Sequence, residues 1–295
     1  MKTTADDAAR EPGSTTRSHH SRTDVLVSPE WLTAHLRDPG LTVVEVDVSS
    51  AAYDDWHIDG AVLWNVYSDL KDRNYRLVPP TALESLLARS GIGPGSTVVF
   101  YGYAPAMGFW LMSLLGHSQV RILDCSRDTW RAEGHPWGDV VPQPLETRYR
   151  LRAGEARVRA DLAAVRDAIG RPEVVLLDVR TAAEFDGDRF WPSGAPEPHG
   201  RAGHVPTAVH QTIDAIHDHR GAFRPDAELR EHFAPHLGPD RDLITYCAVG
   251  GRAATAWFVL THLLGHDHVR VYDGSWAEWG RLPGTPVAIS ESAHA

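Results

Sequence analysis

The sequence predicts an α/β protein built from two copies of one unit, each a mainly parallel sheet with helices on both faces. Two observations carry this. Segments recur in the same order: Val46-Asp47-Val48 returns as Leu177-Asp178-Val179, and His57-Ile58-Asp59-Gly60-Ala61-Val62 returns as His204-Val205-Pro206-Thr207-Ala208-Val209. Gly116-His117 with Trp130 returns as Gly265-His266 with Trp279, and self-similarity of this kind is the mark of a duplicated unit. The second observation is that short, continuously apolar runs at 43–46, 98–101, 174–177 and 243–246 alternate with helical patterns. Strands of a parallel sheet are covered on both faces and so lack the alternation of half-exposed strands.

Taken in order, residues 1–22 are polar, mix both charges and lack the apolar core of a secretory signal, so a disordered tail is expected. His19-His20 reads as part of that solvated tail. The first unit is expected over 23–140, where Ser28 caps and Pro29 opens a helix to residue 36, followed by a strand over 41–48. Val140-Val141-Pro142-Gln143-Pro144 lies at the start of a linker over 141–156, with residues 155–159 opening the second unit. That unit is expected over 157–288, with a tail over 289–295. The spacing between matched segments widens between the first two matches. The second copy therefore carries an insertion at roughly 186–201, with Asp188-Arg189-Phe190-Trp191 and Pro196-Glu197-Pro198-His199 inside it.

A chain of 295 residues with 42% hydrophobic content can fill two cores of ordinary size. Lys and Arg number 29 against 39 Asp and Glu, a net charge of −10, which disfavours nucleic acid and anionic membrane surfaces as partners. Lys2 and Lys71 are the only lysines, so nearly all positive charge is arginine. Cys125 and Cys247 cannot build a disulfide framework and form no C-x-x-C pair, which suits a reducing cytoplasm. No run approaches the roughly 18 apolar residues of a membrane span.

The chemistry is expected at Thr245-Tyr246-Cys247-Ala248-Val249-Gly250-Gly251-Arg252. An apolar strand stops at a cysteine, two glycines follow, and the amphipathic run from Ala253 begins a helix. A thiolate there faces free backbone N–H groups at a helix N-terminus, and the glycines let the backbone curl into an anion-binding nest. Such surroundings favour the reactive thiolate, although a free cysteine is often just a small buried hydrophobe. The spacing is C-x4-R, one residue shorter than a phosphate-wrapping cysteine loop. The first copy's counterpart, Tyr101-Gly102-Tyr103, offers no nucleophile, so that copy is expected to be catalytically silent.

Tyr246 to Arg252, with Gly265-His266 and Tyr272-Asp273-Gly274-Ser275-Trp276, resembles the active loop and following strand of the rhodanese family of sulfurtransferases. Asp178-Val179-Arg180 with Glu184-Phe185, and Gly203-His204-Val205-Pro206, resemble its upstream signature. The resemblance implies two tandem rhodanese-like domains. It also implies a two-step transfer in which Cys247 takes a sulfur from thiosulfate or 3-mercaptopyruvate, becomes a persulfide, and passes the sulfur to cyanide or a thiol. The N–H groups of Ala248, Val249, Gly250, Gly251 and Arg252 would hold thiolate and persulfide, no metal or organic cofactor would take part, and Tyr103-Ala104-Pro105 would wall the cleft. A monomer is expected. Thiosulfate-using members carry Lys at the third loop position and mercaptopyruvate-using members Ser; this chain has Val249, and His199 stands where the latter carry Arg after Pro-Glu-Pro.

Arg252, Arg189 and Arg201 are candidate anion clamps, since a guanidinium matches sulfonate and carboxylate. Arg252 could instead pair with Glu184 or Asp178, and the other two could be solvated loop charges. Arg180, directly after a buried strand, reads as structural. Asp178 could bond the active loop or cap its own strand. Cys125 reads as a buried or interface thiol. His199, His204, His210, His217 and His219 lack metal-ligand spacing and read as structural, while Trp191 could line the cleft. A persulfide carrier serving a protein acceptor is the alternative, favoured by an exposed apolar rim near Trp191. A small-oxyanion hydrolase is disfavoured by the short loop.

Overall fold

The computed structural model describes residues 21–151, 156–238 and 241–290. Expectations for residues 1–20 and for Glu155 lie outside the described residues. Two five-stranded sheets, parallel throughout, form the frame. In spatial order the first contains Leu26–Val27, Val120–Leu123, Thr97–Gly102, Leu41–Asp47 and Val62–Asn65. The second contains Arg159–Ala160, Val269–Tyr272, Asp242–Tyr246, Val174–Asp178 and Val209–His210. Counterparts of the sequence repeat occupy the same places in both, so the duplication is one of topology as well as of sequence.

The central strands are β-branched and aromatic, residues that fit a pleated surface covered on both sides. Val43, Val44 and Val46 are buried in one sheet, Leu243, Ile244 and Tyr246 in the other. Helix starts follow capping chemistry. Ser28 accepts from the Trp31 N–H, Asp161 from the Ala164 N–H, and Thr181 and Glu184 form a reciprocal capping box. The first of these helices runs over Pro29–His35, where the Ser-Pro signal placed it.

The two units are not independent bodies. One apolar cluster crosses between them, because the Pro105–Leu114 and Gly251–Phe258 helices pack together. The Phe109 ring lies 5.0 Å from that of Phe258, and Gly251 approaches Ala104 so closely that a Cβ there would sit 3.3 Å from the Ala104 Cβ. Burying each such aromatic is worth about 1.5–3 kcal/mol, so the interface behaves as core. Polar ties surround it. The Ser126 N–H donates to Arg220 O at 2.8 Å and the Phe223 N–H to Asp124 Oδ1 at 2.7 Å. One expectation is corrected here. Arg22, assigned to the tail, opens the short Arg22–Val25 helix, and its guanidinium donates to Phe223 O and, at 2.7 Å, to Asp226.

The insertion folds onto its own domain and reaches the other. Phe190 is buried against Trp276, and Trp191 is half-buried, its ring 5.7 Å from that of Tyr75 in the first unit. Among the described residues no helix is long and apolar enough to cross a membrane.

Candidate active site

The Asp242–Tyr246 strand delivers Cys247 to the carboxyl end of the second sheet, where open α/β sheets place their sites. The side chain is 1% exposed. Gly250 takes φ +100°, a left-handed conformation open to glycine, and a Cβ there would lie 3.0 Å from Asp273 O. That twist turns the Gly250 N–H onto Cys247 Sγ at 3.1 Å. The Gly251–Phe258 helix follows at once, and its first N–H groups have no intrahelical partners.

The loop is clamped by the segment after the next strand. Ser275 Oγ accepts from the Cys247 N–H at 3.1 Å and donates to Tyr272 O at 2.8 Å. The Trp276 N–H donates to Cys247 O and the Ala277 N–H to Ala248 O, both at 2.9 Å. This accounts for the Tyr272-to-Trp276 motif: it braces the loop and brings no reacting group.

Arg252 lies beside the loop and grips Glu184 in a fork, its two terminal nitrogens 2.8 Å from the two carboxylate oxygens. Of its two possible partners, Glu184 and Asp178, the structure selects Glu184. Burial alone would pull the guanidinium down, but Glu184 and the Cys247 sulfur outweigh it and raise its pKa. For Glu184 burial pushes upward, and the Arg252 and Thr181 contacts reverse this and hold the carboxyl below its ordinary value. A depressed carboxyl contributes stability above its unfolded pKa and loses it as pH falls through the folded one. Arg252→Ala should therefore lower thermal stability by about 2–3 kcal/mol at neutral pH, with the difference shrinking on acidification. Thermal melts at two pH values check this; an equal difference at both would mean that the pair does not set it.

Asp178 and Arg180 form a separate, fully buried pair. Arg180 Nε lies 2.9 Å from Asp178 Oδ1, and an Arg180 terminal nitrogen is 2.6 Å from Asp178 Oδ2 and 2.6 Å from Gly203 O. The guanidinium also lies over the Trp276 ring at 4.5 Å. Arg180 is thus structural, and the Asp178 carboxylate is spent on it.

The other two candidate clamps both bond backbone carbonyls. Arg201 donates to Leu282 O and Thr285 O, both at 2.6 Å, and to Trp279 O at 3.3 Å. The carbonyls past the end of the Ser275–Trp279 helix attract the guanidinium there and use it up. Arg189 is exposed and donates to Pro192 O in its own turn at 3.3 Å. Two of the histidines are likewise occupied, His204 stacked on Phe185 and bonded to Phe185 O, and His210 bonded to Arg180 O.

The first unit supplies groups near the loop; the sequence had offered Tyr103 as part of the cleft wall, but not Lys71 or Tyr67. Lys71 is buried, with Nζ 2.7 Å from Asp273 O and 3.5 Å from Asp273 Oδ2. The same Nζ lies 3.5 Å from where a Cβ on Gly250 would stand. The available signal was its rarity, one of two lysines, at the end of the half-apolar run 66–70. Tyr103 is exposed and couples electrostatically to Cys247, as does Tyr67. An inter-domain cleft of about 400 Å³, lined by Tyr103, Pro105, Ile213, His217, Phe223 and Arg252 among others, opens beside the loop.

A family model described as a rhodanese-like domain matches residues 28–133 and again 161–282. A protein of Saccharopolyspora erythraea, provisionally named a thiosulfate sulfurtransferase, is 38% identical over 90% of this chain and 97% of its own length. A provisionally named thiosulfate sulfurtransferase of Haloferax volcanii is 37% identical over 90% of this chain and 96% of its own. Among solved structures, the anaerobic ergothioneine biosynthesis enzyme of Chlorobium limicola, in complex with trimethyl histidine, superposes with a TM-score of 0.80 at 22% identity, covering 91% of this chain and 71% of its own; at that identity the likeness is one of fold. With two rhodanese-like matches that together cover most of a chain whose repeat and sheet order are duplicated in the same way, this protein belongs to the rhodanese family.

Proposed function

We propose that this sulfurtransferase moves a sulfane sulfur from thiosulfate or 3-mercaptopyruvate through a persulfide on Cys247 to cyanide or a thiol. The observation that supports this most is the Gly250 N–H aimed at Cys247 Sγ at 3.1 Å, inside a loop that begins a helix. The Cys247 thiolate attacks the outer sulfur of thiosulfate. The S–S bond of the donor breaks, and its electron pair leaves with sulfite. Cyanide then attacks the terminal sulfur of the persulfide, the pair of that S–S bond returns to Cys247, and thiocyanate departs. The N–H groups of Ala248, Val249, Gly250, Gly251 and Arg252 stabilise the sulfur anion at both stages, an electrostatic role of the oxyanion-hole kind.

Both substrates are small molecules, and the inter-domain cleft reaches Gly251 and Arg252 at the end of the loop. The chain acts as a monomer in the reducing cytoplasm, where its two free thiols persist. Delivery to a protein acceptor gains no support from Trp191, whose indole N–H is held by Glu197 and whose ring meets Tyr75.

Donor preference tests the reading. Val249 is apolar and half-buried on the loop, so Val249→Lys should raise thiosulfate turnover relative to 3-mercaptopyruvate by about tenfold, the effect of one added charge beside the departing sulfite. Thiocyanate formation from each donor, at fixed cyanide, measures it. No thiocyanate from either donor on the wild type would contradict the proposed reaction, and an unchanged ratio would show that this position does not set donor choice.

A further inference from the structure

We propose that Lys71, on the unit that lacks a nucleophile, is a positioning residue for sulfur transfer, its buried ammonium holding a fixed positive charge against the underside of the Cys247 loop. The inference rests on Cys247 being the sulfur carrier. It stands on a count of charges. Asp273 is 2% exposed and receives two cations, Lys71 at 3.5 Å and Arg159, whose Nε donates to Oδ1 at 2.6 Å. One carboxylate against two cations leaves a surplus of one positive charge. Arg252, the other cation at the loop, is matched by Glu184 and contributes no such surplus. The groups that interact with Cys247 include Lys71, Arg252, Tyr67 and Tyr103, with Asp273, Arg159 and Glu184 as the partners of the two cations, and the Arg76–Glu278 pair lies beyond Asp273. Burial pushes both tyrosines up, leaving them neutral. The anion that completes the set is the sulfur itself.

The position of Lys71 is built. The Leu77 N–H donates to Asp273 Oδ2 at 3.2 Å, and Lys71 and Leu77 face each other as an antiparallel bridge, so the turn over 71–77 is pinned to the second unit at the residue that also receives the lysine. Lys71 Nζ and the Gly250 peptide share the environment of Asp273 O, and that peptide carries the N–H donated to Cys247 Sγ. An ammonium there favours the anionic sulfur, whether thiolate or persulfide, because both groups are buried and screening is weak. Burial, with Arg159 adding to it, holds the Lys71 pKa below its ordinary value, while Asp273 and Cys247 oppose this and favour the ammonium.

The test is the pH profile of Cys247 alkylation by iodoacetamide in a Cys125→Ser background, with Lys71→Met, Lys71→Arg and Asp273→Asn. Lys71→Met leaves Asp273 with Arg159 and the Leu77 N–H, so the carboxylate is not orphaned. Its alkylation profile should move to higher pH by about one unit, with about tenfold slower alkylation below the midpoint. Lys71→Arg should return the profile toward the parent. Asp273→Asn removes the counter-charge and should move the profile the opposite way, to lower pH. Loss of a merely structural contact would not shift the two in opposite directions, and the asparagine variant keeps the proposal testable should the methionine variant fail to fold. Coincident profiles for Lys71→Met and the parent, or for Asp273→Asn if only that variant folds, would overturn it. Thiocyanate formation by the wild type is scored separately: its absence would sink the sulfur-carrier reading, whereas normal turnover with unshifted profiles would sink the role of Lys71 alone.

Discussion

Cys247→Ser should reduce thiocyanate formation from thiosulfate and cyanide by about a thousandfold or more, the scale at which removal of a nucleophile acts. A hydroxyl keeps the shape of the loop and accepts the Gly250 N–H, but it cannot hold a transferable sulfur under these conditions. Cys125→Ser should retain most of the activity. Burial, with Glu133 and Asp124 adding to it, pushes the Cys125 thiol up to about 12, so it stays protonated at neutral pH. The two thiols thus differ by environment and not by type. Cys247 meets a backbone donor at a helix start, whereas Cys125 meets carboxylates. A Cys247→Ser protein that retained a substantial fraction of turnover would remove the basis of the mechanism.

Asp178→Ala should bring the largest loss of stability of any single change considered, about 3–5 kcal/mol, because it strands a guanidinium that is 0% exposed. Gly203 O and the Trp276 face remain as partners, but neither carries a full opposite charge. The strand that holds Asp178 pairs with the strand that ends at Cys247, Asp178 lying opposite Tyr246. Activity should fall with the folded fraction. Denaturant unfolding of wild type and variant measures it, and a difference below about 1 kcal/mol would show that the pair is worth no more than an exposed one.

The parallel sheets and the strand-to-helix loop at Cys247 were legible because both are local in origin. An apolar run that stops at Cys247 before Gly250-Gly251 specifies strand, twist and helix within a few residues. The repeat then carried the same order to the first unit. Charge partners were less legible, since they depend on which side chains the fold brings together. Arg252 could be paired with Glu184 or Asp178 on paper; in the structure the capping box at Thr181 fixes Glu184 facing Arg252, while Asp178 closes on its own neighbour Arg180. Arg201 looked available because its partners are mostly backbone carbonyls, which no side-chain pattern reveals. Lys71 was the least legible, because its contact with Asp273 spans 202 positions and both units.

The central claim is that Cys247 itself carries the sulfur. The measurement that meets it most directly is mass spectrometry of the intact protein and its peptides after thiosulfate treatment, with and without subsequent cyanide. The peptide containing Cys247 should gain the mass of one sulfur atom and lose it on cyanide addition, as thiocyanate appears in matching amount. A sulfur adduct confined to the Cys125 peptide, or thiocyanate formed at full rate with no adduct on Cys247, would contradict it.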